Sequence, residues 1–209
     1  MKTKILIILV IIIGMGVGFY LQQKPEISEE VSPEEQLKSL SSIILKNTKF
    51  ENFSADRVSF KYPNWTKVEI DPILIWPKEI VEKEKILLYL TNADGITMVV
   101  AKRELALEGL AKPYPLIFRE ALEEERRIME EKGGLTSWQT IREDFFENGI
   151  MLESKLVIFG KTNTSISKSL ILKENDKGFI YSVGISAGER IFEDYRLVAN
   201  YIIDSIRYY

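Results

Sequence analysis

The chain contains neither cysteine nor histidine. Without thiols there is no disulfide, no thiolate nucleophile and no Cys/His zinc site; without imidazole there is no Ser-His-Asp triad and no histidine base. The missing cysteine also excludes a lipoprotein signal, which needs one to acylate. An excess of basic charge is lacking too. Lys+Arg number 28 against 31 Asp+Glu, for a net charge of −3, which argues against a nucleic-acid-binding surface. The phosphate-cradling patterns G-x-x-x-x-G-K-[ST] and G-x-G-x-x-G do not occur, and neither does EF-hand spacing. What is there is 209 residues of globular composition, 45% hydrophobic and 28% charged. That is enough for one domain and a small appendage.

The appendage is at the start. Lys2 and Lys4 precede Ile5–Leu21, a run of 17 residues without a charge. As a helix it spans roughly 25 Å, near the lower limit for crossing a hydrocarbon core of about 30 Å. Phe19 and Tyr20 fall where interfacial rings are favoured. Residues 1–21 are therefore read as a transmembrane anchor. The competing reading is a cleaved signal peptide, but the run exceeds the usual ~7–15 residues and Gly-Phe-Tyr-Leu-Gln-Gln is a poor cleavage site. A soluble buried helix is a third option, since the run is apolar all round. A pilin-type leader would carry an early Glu, and residues 5–21 hold no acid. Gly14, Gly16 and Gly18 fit either close helix approach or the ordinary tolerance of membrane helices for glycine. Basic residues before the run and Glu26, Glu29, Glu30, Glu34 and Glu35 after it place the N-terminus in the cytoplasm and the rest outside, at the cell membrane. Asn52, Asn64 and Asn163 head N-x-S/T sequons that glycosylation could use there.

Residues 22–49 read as an acidic, proline-containing linker and a short helix. Ser32 caps that helix, Pro33 suits its first position and Glu35 completes a capping box. Leu37, Leu40 and Ile44 share one face, either a lead-in to the domain or a self-associating stalk. From about residue 50 strands take over. Arg57–Tyr62 alternates, with Val58, Phe60 and Tyr62 inward, and Pro63 ends it. Strands at 66–70, 86–91 and 96–103 follow, with a loop at 71–85 and a turn at 92–95. A helix at 115–132 is closed by Gly133-Gly134. Strands at 138–146, 150–159, 165–173 and 179–186 come next, and a helix from 189 to 207 buries Ile191, Tyr195, Val198 and Ile202. Short turns and alternating faces predict an α+β domain, an antiparallel sheet covered by helices.

Val58-Ser59-Phe60-Lys61-Tyr62-Pro63-Asn64-Trp65 resembles the opening strand of PsbP-like domains. The ending resembles them as well: the strand Gly178-Phe179-Ile180-Tyr181, then Phe192-x-x-Tyr195, then Ile202-Ile203-Asp204-Ser205-Ile206, with Ile206 where Phe is usual. The resemblance spans about residues 50–209. It marks Phe60, Tyr62, Pro63, Trp65, Phe192, Tyr195 and Ser205 as structural motif residues and implies an α/β/α sandwich that serves as a binding or assembly module without catalysis. Metal-binding members of that family use residues, His among them, that this chain lacks. No cofactor or metal is carried over.

The acidic run Glu123-Glu124-Glu125 with Glu130-Glu131 reads as a solvated helix face with i,i+4 ion pairs. The alternative function is a membrane-anchored hydrolase using paired carboxylates, which needs a deep cleft with two convergent acids and a raised pKa. Asp144, Glu153 and Asp194 are candidates by residue type alone. One apolar stretch lies between prolines in the 71–85 loop. If exposed, Ile73, Leu74, Ile75 and Trp76 are a surface for an unknown protein partner; otherwise they form an extra strand of no functional meaning.

Overall fold

The computed structural model describes residues 33–55, 57–68, 77–105, 110–174 and 177–209. The expected anchor, the acidic linker through Ser32 and the apolar stretch Ile73–Trp76 lie outside these residues. Among the described residues no helix is long and apolar enough to cross a membrane.

In chain order the elements are α1 (Pro33–Asn47), β1 (Phe50–Ala55), β2 (Val58–Pro63), β3 (Thr66–Lys67), α2 (Lys78–Val81), β4 (Glu84–Thr91), β5 (Thr97–Leu105), α3 (Tyr114–Lys132), β6 (Leu135–Phe146), β7 (Gly149–Ile158), β8 (Lys161–Glu174), β9 (Lys177–Gly188), α4 (Glu189–Ser205) and β10 (Arg207–Tyr208). They build two sheets. The larger has seven strands in the order β3-β4-β5-β9-β8-β7-β6, and the smaller has three in the order β1-β2-β10. Every pairing is antiparallel.

Strand β9 lies in the middle of the large sheet and is buried on both faces. Tyr181, Val183, Ile185 and Ala187 point to one side, against Phe192, Val198, Ala199, Ile202 and Ile203 of α4 and Val58, Phe60 and Tyr62 of β2. Each such apolar side chain contributes about 2 kcal/mol by leaving water. The opposite face packs under α3. Ile128 and Met129 meet Val99, Leu135, Leu156 and Ile158 at one end, and Ile117 and Phe118 meet Ile150, Ile171 and Ile180 at the other. Across this second face runs one lateral row of hydroxyls, opposite one another on successive strands: Thr66, Thr91, Thr97, Ser186, Ser165, Ser154 and Thr140.

Several sequence expectations change. Strand β1 carries Phe50 and Phe53 three apart, so it lacks a period-two signal; pairing with β2, Phe53 opposite Phe60, makes it a strand. The last helix stops at Ser205, and the chain turns back as β10 beside Ser59 and Val58 rather than continuing through Arg207. The β7–β8 turn is Phe159-Gly160 rather than 160–164, with φ of 49° and 74°. A phenylalanine in the left-handed region carries no turn signal that a sequence reader would credit. In α1, Ser41 is buried and Ile44 and Leu45 pack on the α4 side, while Leu40 and Ile43 face solvent. Leu40 therefore does not share the buried face with Ile44.

Candidate functional site

The α4 C-terminus, β10 and the outward face of β1–β2 enclose a groove of about 630 Å³. Alternation puts Val58, Phe60 and Tyr62 in the core, so Ser59 and Lys61 point out, beside Asn52 and Ser54 of β1. Tyr201, Asp204 and Ser205 of α4 form one wall and Arg207 and Tyr209 another. The Lys61 ammonium donates to the Tyr201 hydroxyl at 3.1 Å and lies 5.7 Å from its ring centre. The Ser59 and Tyr209 hydroxyls are 2.7 Å apart, and Arg207 Nη1 caps the carbonyls of Asp204 and Ile206. Its size is within the roughly 300–1,000 Å³ of ligand sites, and its lining mixes aromatic rings with donors and acceptors.

Most of the motif residues hold this region together rather than lining it. Phe60 and Phe192 are buried in the core. Tyr62 is buried with its hydroxyl donating to Glu51 at 2.6 Å, and that bond, with burial behind it, raises the phenol's pKa. Pro63 ends β2 opposite Phe50. Trp65 meets Tyr195 edge-on at 6.1 Å, and the Tyr195 hydroxyl donates to the Asp94 carboxylate. Ser205 Oγ accepts the Lys61 amide, and Ser205, like Phe60, also lines the groove.

The carboxylates named from residue type do not converge. Asp144 pairs with Arg142. Glu153, buried, pairs with Arg196 at 2.7 Å. The pKa of Asp194 is raised chiefly by burial, with Arg190 opposing and Asp94 and Glu193 reinforcing.

A different pair does converge, and it corrects the reading of the acidic run. Glu124 and Glu125 turn toward β4 and β5. Glu124 accepts Lys83 and, at 2.6 Å, Arg103 Nη2, and these bonds lower its pKa, Lys83 first. That leaves Glu84 and Glu125 in one small cavity without a hydrogen-bond partner among the described residues. Burial pushes Glu84 to about 7 against the pull of Arg103. Burial and then the Glu84 charge push Glu125 to about 8. The sequence signal missed was Glu84, which opens β4 and pairs across strands with Arg103. The cavity measures about 10 Å³, room for one water at most. Among the described residues no group of three or more carboxylates is set to hold a metal.

Of the sequons, Asn52 and Asn64 are exposed. Asn163 is buried and donates to the Lys161 carbonyl at 3.1 Å, so a glycan there is incompatible with the fold.

A second groove, of about 160 Å³, runs between α3 and β6. Leu122 and Leu152 form its apolar part, with Trp138 and Thr140 on the strand side and Arg119 and Arg126 on the helix side.

The sequence matches no family model and no curated protein. Among solved structures, cyanobacterial PsbP (CyanoP) from Synechocystis sp. PCC 6803 aligns with a TM-score of 0.56 and 12% identity, over 78% of this chain and 94% of that one. The Saccharomyces cerevisiae Ran-binding protein Mog1p gives 0.48 and 11%, over 78% and 96%. LpqN of Mycobacterium tuberculosis, involved in cell envelope biogenesis, gives 0.42 and 9%, over 84% and 96%. The first likeness establishes a PsbP-like fold, an antiparallel sheet between helical layers, and nothing of function.

Proposed function

We propose that the chain is a membrane-tethered extracytoplasmic module that binds or assembles a protein partner without catalysis. One contrast carries the reading. An open concavity of ligand size is a mixed aromatic and polar groove, whereas the two acids with strongly raised pKa values lie half-buried at a space too small for a substrate. A hydrolase needs those two features in one place. The tether rests on Ile5–Leu21 and the charge asymmetry around it. Ile73–Trp76 is proposed as a second part of the partner surface.

Full-length protein isolated from gently solubilised native membranes is expected to carry a stoichiometric companion. Turnover of a glycoside or ester substrate that is lost in Glu125→Gln would oppose the reading.

A further inference from the structure

We propose that the groove at the end of α4 is a binding site for a saccharide that carries a carboxylate, a chain containing uronic-acid units. The inference goes beyond the protein-partner reading and does not depend on it.

Strand pairing builds the polar side of the groove. Arg207, Ser59 and Ser54 stand opposite one another on β10, β2 and β1, and Lys61 stands opposite Asn52 in the next row of the same face. Such neighbours lie roughly 5 Å apart across the strands and 7 Å along them. That spacing matches the hydroxyls around one sugar ring. An acidic peptide presents its carboxylates on separate, flexible side chains instead. Asp204 of α4 adds an acceptor from the side, and Phe53 and Phe60 supply apolar lining.

The groove's charges are uncommitted. The Lys61 ammonium meets only the hydroxyl and ring of Tyr201. The Arg207 guanidinium meets only the carbonyls of Asp204 and Ile206, both through Nη1, which leaves the rest of its fork open. Among the described residues neither cation has an ion-pair partner, and the side chains of Asn52, Ser54 and Asp204 make no hydrogen bond. Lys168 of β8 is a further cation, close enough to be acted on by both Arg207 and Asp204.

These groups select among ligand classes. A cation would face Lys61, Arg207 and Lys168. A bare anion would leave Asp204 and the aromatic surface unused. A neutral sugar would leave the positive excess unbalanced, and an apolar side chain would strand the polar groups it covers. A carboxylated sugar meets every group. Its carboxylate suits the Arg207 fork, and its hydroxyls, which both donate and accept, suit Asp204, Asn52 and Ser54.

Tyr209 completes the site. Its amide donates to the Arg57 carbonyl at 3.0 Å and its hydroxyl is 2.7 Å from that of Ser59, yet the residue is 72% exposed. A ring held at both ends with open surface is a preorganised platform. The C–H face of a sugar covers such a ring without stranding its own hydroxyls.

The test is titration of the full chain, in a detergent without a sugar headgroup, with tetragalacturonate and a hyaluronate tetrasaccharide. Maltotetraose is the neutral control, acetate the bare anion and hexaglutamate the acidic peptide. At least one of the two acidic saccharides is expected to bind at least tenfold more tightly than maltotetraose. Tyr209→Ala and Arg207→Gln, both at exposed positions, should each weaken that binding at least tenfold, while Tyr209→Phe keeps most of it. Thermal melts confirm that the variants fold. No saturable binding of either acidic saccharide, equal binding of maltotetraose, displacement by equimolar acetate or hexaglutamate, or indifference to both Tyr209→Ala and Arg207→Gln would each overturn the proposal. A native protein companion found on a chain that binds neither saccharide would sink this inference and leave the partner reading standing. Saccharide binding by a chain that emerges from membranes alone would support this inference and count against the partner reading.

Discussion

Ser205 Oγ accepts the Lys61 amide at 2.9 Å and donates to the Ile202 carbonyl at 2.7 Å. One hydroxyl thus finishes α4 and fastens it to β2. Both residues line the large groove, so the bond that closes the fold also sets the groove's width. Ser205→Ala is expected to lower stability by about 1–2 kcal/mol, read as a lower urea midpoint at unchanged slope. Ser205→Thr, which keeps the hydroxyl, should restore most of the loss.

The Glu84–Glu125 pair makes stability pH-dependent. Folded-state values near 7 and 8 lie above the ordinary glutamate value, so in that range the folded chain holds more protons than the unfolded chain. The contribution is fully present below the unfolded pKa and is lost as pH rises through the folded ones. Stability should therefore fall between about pH 5 and pH 8. Glu125→Gln should flatten that slope and be more stable than the parent at pH 9. Chemical denaturation at several pH values tests this, and an equally steep slope in the variant would contradict it.

Tyr195 ties α4 to the turn between β4 and β5 through Asp94, while Asn92 Oδ1 accepts the amides of Asp94 and Ile96. Tyr195→Phe keeps the ring against Trp65 and removes only the hydroxyl. A loss of about 1 kcal/mol is expected, with faster amide exchange confined to residues 92–96. Trp65→Ala, which removes the ring contact, should cost more.

The fold was legible where side chains alternate or follow a helical period. In β2 and β9, Val58, Phe60, Tyr62, Tyr181, Val183 and Ile185 all point where their period places them. It was illegible where tertiary pairing overrides local pattern. Phe50 and Phe53 in β1 become strand residues because β2 lies beside them, and Phe159 turns a hairpin because Gly160 follows it. The groove was half legible. Phe60 and Ser205 were identified, but β10, which brings in Arg207 and Tyr209, reads as helix until Ser205 and the Ser59 pairing end the helix early. Glu124 and Glu125 looked solvated because helical spacing says nothing about Glu84 and Arg103, which a different part of the chain places beneath them.

The tether makes its own prediction. Full-length chain should stay with membranes through an alkaline carbonate wash, and residues 22–209 should be released with an unchanged melting temperature. Equal release of both forms would remove the anchor from the account.

The central claim is most directly tested by isolating the full-length chain from gently solubilised native membranes, in parallel with Tyr209→Ala at the groove mouth and Trp76→Ala in the apolar stretch. The predicted result is one stoichiometric protein companion on the parent chain, lost or strongly depleted in at least one variant. A chain that emerges alone in all three preparations would contradict a binding module.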